Sequence, residues 1–202
     1  ATEPIPQATI DAFNAAKGDA DYAFILASQK WPESDDIVRI GLESCLCSLE
    51  NGENLIVIPR FHPGAKQEDK IRWNEIVRSL TSKCPCAVKP IEGEHNTDHL
   101  AALADGTFSA TGSALRAAAY AGKFPVCVWT PCLGEKLKAE SGMEHHPLAV
   151  AEPVCEISEA KDIVSLIAAY GTETAYALGL DLKPVPFDAG LAADAILALG
   201  KK

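Results

Sequence analysis

Five short, nearly uninterrupted apolar runs, separated by amphipathic or polar stretches, constrain this chain more than any other feature. YAFILAS (Tyr22 to Ser28), LIVIP (Leu55 to Pro59), CAVKPI (Cys86 to Ile91), GTFSA (Gly106 to Ala110) and PVCVW (Pro125 to Trp129) each read as a strand. A strand that is apolar at successive positions hides both its faces, as strands do when helices cover a sheet from two sides. Between the runs lie helical patterns: Ser34 to Gly52, with Ser34 or Asp35 as cap and Gly52 as stop; Gln67 to Lys83; Asp98 to Ala104; and Ser113 to Gly122. Single helices between strands imply parallel pairing, because a parallel strand needs a crossover and a helix supplies it with the usual right hand. The expected fold is α/β: a doubly wound, mostly parallel, Rossmann-like sheet, preceded by a linker segment over residues 1–20.

Beyond Trp129 the pattern loosens. Thr130 to Pro147, rich in Gly, Pro and His, reads as a loop; LAVAEPVCEI follows, then helices over Ser158 to Gly171 and Asp188 to Gly200. At 202 residues the chain is long enough to bury a core as one large domain or two small ones, and the pattern favours a single domain over residues 21–202. A net charge of -10 argues against nucleic-acid and anionic-membrane partners, so any anion site must be a local arrangement. No apolar run is long enough to span a bilayer, and the first residues carry no basic-then-apolar signal pattern. The chain starts at Ala1 rather than Met, as a processed or excised chain would.

The seven cysteines sit among apolar residues, as reduced thiols do in a cytoplasmic protein. Cys84-Pro-Cys86 with Cys45 and Cys47 lacks the two-to-four-residue gaps of zinc sites, so no metal is expected.

Doubly wound sheets take ligands in the crevice beyond the carboxyl ends of their strands. The residues that follow the five runs are Ser28-Gln29-Lys30, Arg60-Phe61-His62-Pro63-Gly64, Glu92-Gly93-Glu94-His95-Asn96, Ser109 to Ser113, and Thr130 to Gly134. Ser109, Thr111, Gly112 and Ser113 stand at the mouth of an alanine-rich helix. Free amides at such a helix start, with the positive end of its dipole, suit an anion, and Gly112 allows close approach to the backbone. Thr111 and Ser113 either add hydroxyl bonds to that anion or cap the helix. Pro63 restricts His62 to extended geometry, which can hold the imidazole toward the crevice, or else His62 bonds a backbone carbonyl. Arg60, two residues before His62, shares a face with it if the strand continues.

Taken together, "TIDAFNAAKGDADYAFILAS", "IVIPRFHPG" and "LAALADGTFSATGSALRAAAYAGKFPVCVW" resemble the nucleotide-binding, C-terminal half of GT-B glycosyltransferases and of the related UDP-N-acetylglucosamine 2-epimerases. The resemblance runs from about Asp21 to Leu199, and its third segment is the most specific. It implies that His62 and the turn of Thr111, Gly112 and Ser113 hold the diphosphate of a sugar nucleotide, with Lys30 facing the same phosphates. Catalysis would then be electrostatic: as the sugar–phosphate bond breaks, His62, Lys30, Arg60 and the amides at Gly112 to Ala114 stabilise charge growing on the departing diphosphate. The scheme calls for no metal and no further cofactor.

Two departures stand against that pattern. The helix after the turn usually brings a glutamate to the ribose hydroxyls, and Arg116, which carries donors only, occupies about that place. A GT-B enzyme also has two such domains, with the acceptor site in the other, so this chain implies a partner domain or subunit that binds the acceptor. The alternatives are a non-catalytic module binding a nucleotide or a protein, half of a sugar-nucleotide epimerase, or a thiol enzyme using Cys132 with His145 or His146. A flavodoxin-like or response-regulator-like domain ranks last; a response regulator would need acidic residues where Ser28-Gln29-Lys30 stands.

Overall fold

A computed structural model of the chain describes residues 4–29, 34–82, 87–110, 112–142 and 155–169. Helix α1 spans Gln7–Lys17 and strand β1 Tyr22–Ala27; α2 covers Ser34–Glu50, β2 Leu55–Arg60 and α3 Gln67–Thr81. After α4 (Thr97–Leu103) come β3 (Gly106–Ser109), α5 (Ser113–Tyr120), β4 (Phe124–Val128), α6 (Pro131–Ser141) and β5 (Cys155–Ile157). Residues 163–169 are helical. The strands form one sheet in the order β2-β1-β3-β4-β5, every neighbouring pair parallel. The expected α/β, doubly wound architecture is therefore the observed one.

Alternation along the strands explains why their runs are apolar throughout. In β1, Phe24 and Leu26 face one layer with Ile37, Val38 and Leu42 of α2 and Trp73 of α3. Ala23, Ile25 and Ala27 face the other, with Phe13 of α1, Leu100 of α4 and Ala114 of α5. Successive side chains of a strand point to opposite faces, so a strand covered on both sides has no solvent-facing position. The first layer is tight: a Cβ added at Gly41 of α2 would collide with Leu26 Cδ1 and lie 3.2 Å from Phe108 Cγ. Only a glycine lets α2 come this close to the sheet.

The chain moves from β2 to β3 across β1, which places the reversal of winding between β1 and β3. Beyond β2 a single parallel bridge joins Val57 to Val88, with Lys89 N–H donating to the Val57 carbonyl at 2.9 Å. The five strands follow the 2-1-3-4-5 order of flavodoxin-like doubly wound sheets; counting the Val57–Val88 remnant as a further strand turns it into 3-2-1-4-5-6, and both orders leave a ligand crevice at the same reversal. Of the strand expected over Cys86 to Ile91, the described residues 87–91 keep one bridge; Pro90 follows it with no N–H to give a ladder, and Lys89 and Pro90 are exposed. Pro59 is accommodated inside β2, opposite Leu26 of β1.

Two other segments differ from expectation. Residues 7–17, within the stretch read as a linker, form α1, which is tied down at both ends. Thr9 Oγ1 lies 3.1 Å from His95 Nδ1, and Lys17 Nζ bonds Asp105 Oδ2 at 3.0 Å, an oxygen that also accepts from Ala23 N–H. The expected loop over Thr130 to Pro147 contains α6. Thr130 caps it by accepting from Leu133 N–H at 3.4 Å, Pro131 opens the first turn, and Gly142 closes it with φ of 71°. Residues 143–147 of that expected loop, Leu148 to Val154 of the following run and the helix over Asp188 to Gly200 lie outside the described residues. No helix among the described residues is long and apolar enough to cross a membrane.

Candidate functional site

At the carboxyl ends of β1, β2 and β3 the structure opens a cleft of about 700 Å³. Its walls come from Ser28 and Gln29 after β1, Arg60 to Pro63 at the end of β2, Gly93 to Asp98 leading into α4, and Gly112 to Ala114 at the start of α5. This is the winding reversal, where a doubly wound sheet leaves room because its crossovers depart in opposite directions.

The floor is a network of short polar side chains. Ser28, almost fully buried, extends the ladder by donating its N–H to the Arg60 carbonyl at 3.1 Å, while its hydroxyl accepts from His62 N–H at 3.0 Å. Gln29 Nε2 donates to Ser109 Oγ at 2.9 Å, and Ser109 donates to the Ala27 carbonyl at the same distance. The Ser34 hydroxyl at the start of α2 bonds the Gln29 backbone at both its N–H and its carbonyl. Between them these bonds hold the ends of β1, β2 and β3 in register below the cleft.

His62 lies on the cleft wall. β2 stops at Arg60, so strand alternation does not carry through to His62; the Ser28 contact and Pro63 set its backbone instead. Its Nδ1 accepts from Gly64 N–H at 3.0 Å, which assigns the proton of the neutral ring to Nε2 and makes that atom a donor.

The start of α5 forms the opposite contribution. Gly112 is the N-cap residue at φ 111° and ψ -179° and, having no side chain, gives the helix no side-chain cap. Ser113 is therefore not the cap; its hydroxyl donates to Asp98 Oδ1 at 2.8 Å. Asp98 sits in the first turn of α4, its own N–H bonded to the Asn96 side chain, and so brings a carboxylate to the mouth of α5.

The structure thus brings His62, Gly112, Ser113 and Arg60 to one cleft. Lys30 and Thr111 lie outside the described residues, as do Cys84, Cys86, His145 and His146. Arg116 is exposed on α5 and is absent from the cleft wall. The Arg60 guanidinium is half-buried and turned onto the backbone, its Nη1 donating to the Ile91 carbonyl at 3.3 Å and its Nη2 to the His95 carbonyl at 2.6 Å. Burial lowers its pKa from the usual arginine value. Asp98 escaped sequence reasoning because an aspartate in a helix's first turn is accounted for by the helix itself. Among the described residues no group of three or more His, Cys, Asp or Glu is arranged to hold a metal ion. No protein-family model matches the chain, and no curated protein matches it.

Proposed function

We propose that this chain is the donor-binding domain of a GT-B-type glycosyltransferase and that the cleft holds the diphosphate of a nucleoside-diphosphate sugar. The observation that carries the reading is the shared cleft. His62 and the Gly112-led start of α5, two elements fifty residues apart in sequence, line one cavity at the winding reversal of the sheet. The segments around them are those that resemble the sugar-nucleotide-binding half.

In this reading the α5 amides and the His62 Nε2–H are fixed donors, aimed where charge grows as the anomeric carbon parts from the diphosphate oxygen. Donors held rigidly by the fold stabilise that charge without reorganising at the moment of reaction. Ser28 and Pro63 hold His62, and the Gln29–Ser109 pair sits beneath Gly112, so both donors rest on the strand ends. The resemblance assigns Lys30, which lies outside the described residues, as a further cation for the same phosphates. The acceptor and its base come from a second domain or subunit, which makes this chain one part of an active site. Cys45, Cys127 and Cys155 are buried free thiols, which suits a reducing, cytoplasmic setting.

A second reading, a non-catalytic nucleotide-binding module, is favoured by one observation. The only guanidinium on the described cleft wall is bonded to carbonyls, while two carboxylates, Glu94 and Asp98, line the same wall. Thermal shift across a panel of nucleoside diphosphates and their sugars tests binding itself. A rise in Tm with one nucleotide series, reduced by His62→Ala, is the expected result. No shift at millimolar concentration with any member would end both readings. Hydrolysis or transfer of the sugar once an acceptor-binding partner is added separates the transferase from the module.

A further inference from the structure

We infer that Arg60 is a positioning residue that shapes the cleft by clamping its Gly93–Asp98 wall and does not itself touch the ligand. The inference rests on the nucleotide-binding reading for its consequence, and on geometry for its substance. Arg60 ends β2, paired with Ala27 of β1, and its own carbonyl receives Ser28 N–H. Its backbone is therefore part of the sheet, while its guanidinium crosses to the segment that leaves the Val88 bridge. There it bonds two carbonyls four residues apart, those of Ile91 and His95.

Between these anchors the chain makes a bend that needs such a clamp. Gly93 has φ of 93°, and a Cβ placed on it would lie 3.4 Å from His95 Nε2, so the loop folds tightly back upon itself. His95 in turn meets Thr9 of α1 through Nδ1, and Asn96 caps α4. Arg60 is thus the sheet's side-chain hold on the loop that leads into α4 and Asp98. A guanidinium suits this work because its planar fork spans two acceptors at once, which a lysine ammonium, a point donor on a flexible stem, does not. Two of its five N–H groups are held on backbone oxygens of the loop, which fixes the guanidinium's orientation toward that wall.

The test uses Arg60→Lys and Arg60→Met in the full chain, with UDP and inorganic pyrophosphate as probes. In the free protein, both substitutions are expected to speed amide exchange at residues 92–97 by about tenfold or more, while amides of β1 keep their protection. Both are expected to weaken UDP binding by about tenfold, the equivalent of one charge-assisted bond. The dependence of UDP affinity on salt should remain that of the wild type, because no ionic contact to the ligand is lost. Unchanged exchange at 92–97 in both variants overturns the inference. So does a lysine variant that keeps wild-type affinity while the methionine variant loses both affinity and salt dependence, since that pattern belongs to a direct phosphate contact. If the wild type binds neither probe, the nucleotide reading fails, and the exchange measurement alone decides whether Arg60 clamps the wall.

Discussion

The Ser113 hydroxyl donates to Asp98 Oδ1 at 2.8 Å, so a carboxylate of the protein already stands at the mouth of α5, where the proposed diphosphate would sit. Two helix starts meet there, with Asp98 in the first turn of α4 and Ser113 in the first turn of α5. A fixed negative charge beside an anion site weakens anion binding by direct repulsion. We therefore predict that Asp98→Asn, which keeps an oxygen for Ser113 and removes the charge, tightens UDP and pyrophosphate binding by about tenfold. Uridine, which carries no phosphate, should bind the variant and the wild type alike. Calorimetric titration of the three ligands decides the matter. Equal or weaker binding of both anions to the variant would show that they lie elsewhere.

Gly112 occupies backbone space that is nearly closed to other residues. At φ 111° and ψ -179° an L side chain clashes with its own backbone, and a Cβ there would also come within 3.3 Å of Gln29 Nε2. Gly112→Ala is predicted to cost about 1–3 kcal/mol of stability, the usual penalty for forcing a residue into this region. The same substitution pushes Gln29 away from Ser109, so UDP affinity should fall even at temperatures where the variant is fully folded. Urea denaturation together with a binding titration measures the two effects. A variant as stable as the wild type would mean that the turn relaxes to another conformation.

The layout of the fold was legible because burial on two faces writes a simple signature, the unbroken apolar run, and β1, β2 and β4 carry it. The edges were harder. Val88 makes one bridge and Pro90 after it has no N–H for a ladder, while Lys89 already interrupts the apolar run of CAVKPI. In α6 the Pro and Gly residues that suggest a loop do not prevent a helix: Pro131 opens the first turn, Gly142 lies beyond the last, and Gly134 sits inside, where an added Cβ would lie 3.0 Å from Trp129 Nε1. At the site, His62, Gly112 and Ser113 were visible as small or polar residues just after strands. The partners of Arg60 were not, since backbone carbonyls have no residue type to betray them. Nor was Asp98, whose place in a helix start supplies an ordinary reason for its presence.

Away from the cleft, two polar contacts to Asp35 of α2 join α3 to it at the edge of the core. Trp73 is fully buried and its Nε1 donates to Asp35 Oδ1 at 2.7 Å, while Arg72 Nε bonds the other oxygen at 2.6 Å. The hydrogen bond to Asp35 holds the Arg72 pKa above even the usual arginine value. Trp73→Phe removes the indole donor and part of the ring, with a predicted loss of about 2 kcal/mol from a bond to a charged acceptor. Trp73→Ala should cost more, about 3–5 kcal/mol, because it also leaves a cavity. Equilibrium unfolding of both variants tests the order. Equal losses would place the stabilisation in the hydrogen bond alone.

Asp162 links the end of the described chain to α2, and its titration should appear in the acid stability of the protein. Burial pushes its pKa up. Hydrogen bonds from the Ser48 hydroxyl at 2.7 Å, the Ser165 N–H at 3.1 Å, Asn51 Nδ2 at 2.6 Å and the Ser165 hydroxyl at 2.9 Å outweigh that and hold it at about 2. The ordinary aspartate value in an unfolded chain is about 3.9. A depressed folded value means that the unfolded state takes up the proton first as the pH drops. The contribution to stability is therefore complete above about pH 5 and disappears as the pH falls from about 4 to below 2. Because the carboxylate is partly exposed to water, screening reduces it to about 1 kcal/mol. Asp162→Asn should thus be less stable than the wild type at pH 6, with the gap closing near pH 2. Denaturation at the two pH values reads this directly, and a gap of the same size at both would show that Asp162 acts by shape rather than charge.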